Sequence, residues 1–262
     1  MKAAIKSLLG SAGRGNFACS AKRLLLRNKC RQRFHASLQA PYYSQVGQDR
    51  FLDDFVFHGR RGGVFVDIGA YDGVAMSNSC YFERELGWRG LCVEPNPVRY
   101  SRLVENRRSQ NVNCGVGARE GMMKFLQLPA HLDLGAGFLD YYDPQSAYVK
   151  EQPVGSAVID VPVRRLTDLV SRAGLAKIDY LSIDTEGADF DIIRSIDFEV
   201  LDVSAISVEN SGWEERIAAY MGAKGYRLVA VLGNDEIYLK SGWEESEAGP
   251  VTPGPFMRAA SD

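Results

Sequence analysis

The stretch V-F-V-D-I-G-A-Y-D-G occupies residues 64–73, and a second apolar run further along, L-C-V-E, ends at Glu94. Apolar, partly β-branched residues that lead into Gly69 and Gly73 predict a buried strand followed by a tight turn. The second run predicts a neighbouring strand with a carboxylate at its end. Because ligands of open parallel sheets bind at the carboxyl ends of the strands, the pair predicts a site for a nucleoside-type cofactor. Glu94 would accept hydrogen bonds from both ribose hydroxyls.

The acidic character of this turn discriminates between cofactors. Dinucleotide sites usually carry G-x-G-x-x-G, because a pyrophosphate must lie against bare backbone. Here only Gly69 and Gly73 are present, with Asp67 and Asp72 among them. Two carboxylates would repel a pyrophosphate, but they suit a ligand with an ammonium group and a sulfonium centre. The turn therefore favours S-adenosylmethionine, the alternative being a plain turn beside a surface charge.

Several blocks of the chain resemble the FkbM-type methyltransferases, in the order in which that family has them. The blocks are Y-S-Q-V-G-Q-D-R-F-L (43–52), G-V-F-V-D-I-G-A-Y-D-G (63–73), S-N-S (77–79), G-W-R-G-L-C-V-E-P-N-P (87–97), I-D-Y-L-S-I-D-T-E-G-A-D-F-D-I-I (178–193), S-V-E-N (207–210) and D-E-I-Y (235–238). The resemblance implies a Rossmann-like class I methyltransferase fold. It also implies S-adenosylmethionine-dependent O-methylation of hydroxyls on sugars, glycans or polyketide-like natural products.

The alternation of apolar strands and amphipathic helices predicts an α/β fold with a doubly wound, mainly parallel sheet. The segments 226–231 and 237–240 predict an antiparallel hairpin at its C-terminal end. Residues 129–157 follow no period, and a long irregular stretch inside a compact domain indicates a functional lid. Further strands are predicted over 64–68, 91–94, 112–116, 122–128, 180–184 and 205–209, with an extended segment at 158–163. Helices are predicted over 48–57, 74–86, 166–174, 187–195 and 213–224. One more helix is predicted to begin at Pro95–Pro97 and to turn Tyr100, Leu103 and Val104 inward.

Ten residues are predicted to bind the cofactor. Asp67 would reach the methionine ammonium, the turn would give close backbone contact, and Asn113 would lie near the adenine. The S-N-S block contributes through the family resemblance. The full set is Asp67, Gly69, Ala70, Tyr71, Gly73, Ser77, Asn78, Glu94, Pro95 and Asn113.

Three carboxylates are the predicted catalytic residues: Asp184 and Glu186 in D-T-E-G, and Glu209 at the end of the next strand. Asp184 or Glu186 would take the proton of the acceptor hydroxyl, or both would orient it, whereas Glu209 with Asn210 would form the far wall of the acceptor pocket. The alternative is that Asp184 and Glu186 only cap the following helix. His131 is a further candidate base. No metal is predicted, although Asp184, Glu209 and Asn210 offer oxygen ligands that magnesium prefers.

Composition limits the remaining possibilities. The 262 residues have ordinary globular composition, and the five cysteines form no C-x-x-C pair, which argues against a zinc site or disulfide framework. Residues 1–40 carry nine Lys or Arg and no acid, whereas the rest of the chain has a net charge of −11. An acidic body disfavours nucleic acid as a partner, as does D-T-E-G in place of the N/D-P-P-Y/F block of base-amino methylation.

Three segments follow from these patterns. Residues 1–41 form a basic, flexible arm or a targeting segment, 42–243 form the methyltransferase domain, and 244–262 form a disordered tail. We expect a cytoplasmic protein without a transmembrane segment, or a mitochondrial or other organellar one if the basic arm is a transit peptide. Two other functions stay open: a noncatalytic S-adenosylmethionine-binding protein and a nicotinamide oxidoreductase. The oligomeric state is not determined by these patterns.

Overall fold

The structure is a computed structural model that describes residues 41–144, 146–212 and 214–243. The predicted arm and tail (1–41 and 244–262) lie outside this part of the chain, apart from Pro41. The strands are β1 (Val64–Ile68), β2 (Arg89–Val93), β3 (Gln110–Val112), β4 (Gly115–Val116), β5 (Gly121–Gln127), β6 (Gly137–Phe138), β7 (Ala157–Arg164), β8 (Lys177–Ile183), β9 (Asp202–Glu209), β10 (Tyr226–Leu232) and β11 (Asp235–Lys240). The α-helices are α1 (Gln48–Leu52), α2 (Cys80–Arg84), α3 (Pro97–Asn106), α4 (Ala147–Glu151), α5 (Leu166–Arg172), α6 (Asp189–Ser195) and α7 (Glu215–Ala223).

A seven-stranded sheet in the order β10-β11-β9-β8-β1-β2-β3 is the centre of the molecule. Strands β9, β8, β1, β2 and β3 pair in parallel, whereas β11 pairs antiparallel with both β9 and β10. The doubly wound, mainly parallel sheet and its antiparallel C-terminal hairpin are therefore as predicted. The strand order changes direction at β1, with β2 on one side and β8 on the other, which is where ligands bind in such sheets.

The two faces of this sheet are buried under different helices. On β1, Val66 and Ile68 pack into the layer that contains α5, α6 and α7, whereas Phe65 packs into the layer formed by α1, α2 and α3. Alternate residues of a strand point to opposite faces, so the apolar residues of V-F-V-D-I supply side chains to the cores on both sides of the sheet. No helix within the described ranges is both long and apolar enough to cross a membrane.

A second sheet of four strands, β4-β7-β5-β6, was not predicted. The single strand predicted over 112–116 is wrong, because β3 ends at Val112 in the first sheet and β4 begins at Gly115 in the second. Phe125, Phe138, Val161 and Val163 form the small core of this second sheet. The predicted lid is its insertion: β6, two 3₁₀ turns (Asp133–Gly135 and Leu139–Tyr141) and α4 lie between β5 and β7.

One predicted helix is much shorter than expected, and another has the expected length but a mixed helical type. The helix expected over 74–86 is α2 alone, because Asp72 accepts the backbone N–H groups of Val74 and Ala75 and so holds the preceding residues in a turn. The helix expected over 48–57 is α1 followed by a π-helical turn at Asp53–Phe57. Val104, expected to point inward from α3, is 48% exposed.

Candidate active site

Gly69 brings the two central strand ends into contact. Its φ of +84° is left-handed, and a Cβ at this position would lie 1.8 Å from the carbonyl oxygen of Asp184. On the same stretch, the backbone N–H of Asp184 donates to the carbonyl of Ile68 at 3.0 Å. Only glycine tolerates both the φ and the approach, so the turn after β1 lies directly against the end of β8.

A cavity opens at these strand ends, and most of the predicted site residues line it. From the predicted cofactor set, Asp67, Gly69, Ala70, Tyr71, Ser77, Asn78, Glu94 and Pro95 line the cavity, and from the catalytic set, Asp184 and Glu186. Gly73, Asn113 and Glu209 are not among its lining residues.

Glu94 is held in place by the turn that it faces. It is 6% exposed, and its two oxygens accept the backbone N–H groups of Tyr71 at 2.8 Å and Asn96 at 2.7 Å. Burial raises the pKa of Glu94 to about 7, although these two hydrogen bonds act in the opposite direction. Asn96 in turn caps α3 by accepting the N–H of Val98, and Pro97 is the first helical residue. Each carboxylate oxygen keeps further acceptor capacity, which ribose hydroxyls would use.

The opposite end of the predicted cofactor set contains a buried acceptor that has no donor among the described residues. Asn78 is 6% exposed and donates through Nδ2 to the Ser182 hydroxyl at 3.1 Å, while its Oδ1 has no partner within the described residues. Buried polar atoms are nearly always hydrogen-bonded, so this oxygen fits a ligand that donates, such as an ammonium group. Asp67 also lines the cavity and accepts from the Ser79 hydroxyl at 2.5 Å. Burial raises the pKa of Asp67. This donor-seeking set fits S-adenosylmethionine.

Two residues predicted to contact the cofactor, Asn113 and Gly73, instead contact other parts of the protein. Asn113 donates to the carbonyls of Glu94 and Pro95 at 2.7 and 3.1 Å, which fixes the course of the chain after β2. The carbonyl of Gly73 accepts from Arg107 at 3.0 Å, and a Cβ on Gly73 would collide with the Arg107 and Leu103 side chains.

Carboxylates gather at the ends of β8 and β9. One carboxylate oxygen from each of Asp184, Glu186 and Glu209 lies within 4.8 Å of the others, a separation that suits the oxygen ligands of a divalent cation. Burial raises the pKa of Asp184 well above its ordinary value, and the charges of Asp235 and Glu209 raise it further. Burial also raises the pKa of Glu186 to about 7. The raised pKa values make Asp184 and Glu186 candidate proton acceptors.

Asp184 and Glu186 are not the residues that cap the start of α6, which was the alternative interpretation of D-T-E-G. The residue that caps the turn before α6 is Asp189, which accepts the N–H groups of Thr185 and Gly187 at 3.0 and 3.1 Å. Glu186 has a left-handed φ of 55° and lines the cavity.

Asn210 and His131 lie elsewhere. The Asn210 amide accepts the N–H of Glu214 and donates to the Glu236 carboxylate, so it holds the chain after β9. Both polar atoms of its amide are therefore engaged by protein groups. His131 is exposed and does not line the cavity.

Several cavity residues were not predicted. They are Gln45 and Gln48 from the N-terminal segment, Arg99 from α3, and Asp133, Phe125 and Phe138 from the second sheet and its insertion. The block Y-S-Q-V-G-Q-D carried a usable signal for the two glutamines, because it belongs to the family resemblance. Arg99 and Asp133 are isolated charges in the sequence, and no spacing rule marks them.

The comparisons with known proteins agree with this geometry. Residues 67–228 match the model of the "Methyltransferase FkbM domain". The chain is 27% identical over 193 residues to "Methyltransferase sdnD" of Sordaria araneosa, covering 63% of this chain and 73% of that protein. It is 26% identical over 128 residues to "Methyltransferase 1" of Beauveria bassiana, covering 43% of this chain and 51% of that protein.

Among solved structures, the chain is similar to the crystal structure of methyltransferase FkbM from Methylobacillus flagellatus, with 12% identity and a TM-score of 0.46. That match covers 80% of this chain and 52% of the other. The family match spans more than half of the chain and includes the β1 turn, Glu94 and the D-T-E-G block. The chain belongs to the FkbM methyltransferase family and is an S-adenosylmethionine-dependent methyltransferase.

Proposed function

We propose that this protein methylates a hydroxyl group of a sugar, glycan or other small natural product. The observation that carries the proposal is that Asp184 and Glu186 line the same cavity as Glu94, with pKa values raised above the ordinary range of carboxylates. An aliphatic hydroxyl is a weak acid, and a carboxylate with a raised pKa is a better proton acceptor than an ordinary one.

The cofactor would lie along the strand ends. Glu94 would bind the ribose hydroxyls, the backbone of Gly69, Ala70 and Tyr71 would contact the ligand closely, and Asp67 with Asn78 would face the methionine ammonium. Ser77 and Pro95 line the same cavity. When bound, S-adenosylmethionine supplies an electrophilic methyl group on a sulfonium with a good leaving group.

The protein's own contribution to transfer is alignment and proton removal. Alignment of the acceptor contributes on the order of 7–11 kcal/mol in well-oriented reactions. Asp184 would accept the hydroxyl proton, and a general base adds about 10²–10⁴-fold. Glu186 would orient the acceptor. Glu209, which does not line the cavity, would act through its charge on Asp184.

The charge of the cavity supports a neutral acceptor. Its acidic lining residues are Asp67, Glu94, Asp133, Asp184 and Glu186, whereas Arg99 is the sole cation among the described lining residues and is paired with Asp133. A phosphate-bearing acceptor such as nucleic acid would therefore be repelled. Membership of a methyltransferase family also favours transfer over the noncatalytic and nicotinamide alternatives.

Tritium transfer from labelled S-adenosylmethionine to a panel of sugars, glycans and natural-product extracts tests the proposal. Wild-type protein should label neutral hydroxyl compounds, Asp184→Asn should lose transfer while still binding S-adenosylhomocysteine, and Glu94→Gln should weaken that binding itself. Labelling confined to nucleic acids or to amines would overturn the hydroxyl assignment. Domain limits of 42–243 and a cytoplasmic location stay predictions, which limited proteolysis and imaging of a tagged full-length chain would check.

A further inference from the structure

The insertion between β5 and β7 supplies one wall of the cofactor cavity. Asp133, Leu134, Ala136 and Phe138 line it, although they come from a segment that the sequence marks only as irregular. This segment is attached to its own sheet where Phe138 pairs with Phe125. Its attachment to the first sheet, where Glu94 lies, must come from other contacts.

Tyr141 packs against the core of the first sheet, and Asp133 makes two polar contacts beside the cavity. Asp133 is 7% exposed, accepts the Tyr71 hydroxyl at 3.0 Å and forms an ion pair with the Arg99 guanidinium. The Arg99 guanidinium also lies over the Tyr71 ring, 4.5 Å from its centroid, and Arg99 is itself 7% exposed. Each of the three residues contacts both others. We name Tyr71, Arg99 and Asp133 the latch.

The latch surrounds the predicted ribose-binding carboxylate. Tyr71 gives its backbone N–H to Glu94, and Arg99 belongs to α3, which begins directly after Glu94, Pro95 and Asn96. All three latch residues line the cavity. A movement of the insertion away from Glu94 would separate a buried ion pair and a hydrogen bond at once, leaving Arg99 and Asp133 without their partners.

We propose that Asp133 is a cofactor-retaining residue, which fastens the insertion across the cavity through Arg99 and Tyr71 so that cofactor exchange requires this latch to open. This inference rests on the cofactor placement proposed above. Asp133 is a positioning residue in this scheme, because it acts by holding a wall and needs no contact with the reacting atoms.

The test is the kinetics of S-adenosylhomocysteine binding to the full chain, measured by stopped-flow fluorescence or surface plasmon resonance. Asp133→Asn keeps the size and the acceptor for Tyr71 but removes the charge that pairs with Arg99. Because cofactor entry and release both require the latch to open, losing one partner of this buried charge pair should raise the dissociation rate about 10-fold or more and should raise the association rate as well. Tyr71→Phe removes one hydrogen bond and should raise the dissociation rate about 3-fold.

Matched controls separate the latch from a general loss of stability. Asp140→Asn changes an exposed acid of the same insertion and should leave both rates within about 2-fold of wild type. The double variant Tyr71→Phe/Asp133→Asn should dissociate less than about 30-fold faster than wild type, the product of the two single effects, because both changes weaken the same latch. In hydrogen exchange with saturating S-adenosylhomocysteine, residues 128–144 should be less protected in Asp133→Asn than in wild type.

The outcomes differ for the latch and for the cofactor placement. Wild-type protein that binds S-adenosylhomocysteine, with unchanged dissociation in both Asp133→Asn and Tyr71→Phe, would overturn the latch alone. If Asp133→Asn does not fold, unchanged dissociation in Tyr71→Phe overturns it by itself. Wild-type protein that binds no S-adenosylhomocysteine would overturn the placement and the latch together.

Discussion

Gly69 and Asp184 touch through their backbones: a Cβ on Gly69 would lie 1.8 Å from the Asp184 carbonyl oxygen. This contact joins the turn of the proposed cofactor site to the strand end that carries the proposed base. In the proposed arrangement, this backbone contact would fix the spacing between these two parts of the site.

Gly69→Ala should therefore damage both stability and cofactor binding. Gly59 has a similar φ of +74°, and a Cβ at that position would meet nothing within 4 Å, so Gly59→Ala isolates the backbone strain, about 1–2 kcal/mol. We expect Gly69→Ala to lose about 1–3 kcal/mol more, because the neighbouring backbone must also move. Urea unfolding and calorimetry with S-adenosylhomocysteine measure both effects. Equal losses in the two variants would show that the contact is unimportant.

Glu94→Gln should weaken S-adenosylhomocysteine binding roughly 10–150-fold, since hydrogen bonds to a charged group contribute about 1.5–3 kcal/mol. The pKa of Glu94 is raised to about 7 in the free protein, and ribose donors favour its ionised form. The affinity of wild type should then fall as pH drops through 7. Calorimetry between about pH 5.5 and 8.5 checks this, and a wild-type profile as flat as that of Glu94→Gln would contradict it.

Asp184→Asn should abolish methyl transfer yet stabilise the fold at pH 8. Burial and nearby carboxylates raise the pKa of Asp184 above its unfolded value, so the native state binds more protons than the unfolded state and stability falls as pH rises through that interval. Removing the charge relieves this penalty at pH 8 and changes little at pH 4. Melting temperature should rise by about 2–4 °C for each kcal/mol relieved.

The control for Asp184→Asn is Asp160→Asn, which changes an acid that is 55% exposed and paired with Lys124. This variant should melt within about 2 °C of wild type at both pH values. An Asp184→Asn variant that is less stable than wild type at pH 8 would mean that the carboxylate is paired in a way that stabilises the fold.

Gln48→Glu should destabilise the protein at pH 8 and much less at pH 5. Gln48 is 3% exposed and donates to Asp235, whose pKa is raised to about 7 chiefly by burial. A second carboxylate would replace that donor, and two buried like charges disfavour the ionised forms until one of them is protonated. Thermal melts across pH measure this. Gln45→Glu, at an exposed cavity residue of the same turn, should show no comparable pH dependence.

The order of strands along the chain could be predicted because each has its own apolar run and its own turn. The second sheet could not be predicted, because β4 and β6 are only two residues long and are defined only by their pairing with other strands. The strand predicted over 112–116 shows the difficulty: nothing local distinguishes Val112 from Val116, which belong to different sheets.

By itself, the sequence determined the family and the cofactor, because these depend on local patterns such as the β1 turn, Glu94 and D-T-E-G. Only the tertiary structure decided which charges meet. Asp133 reaches Arg99 and Tyr71, and Gln48 reaches Asp235 across 187 positions. Burial raises the pKa of Asp184, and acids from other parts of the chain raise it further. Burial and electrostatic coupling depend on distances between side chains in space, and a single sequence does not show which distant residues come together.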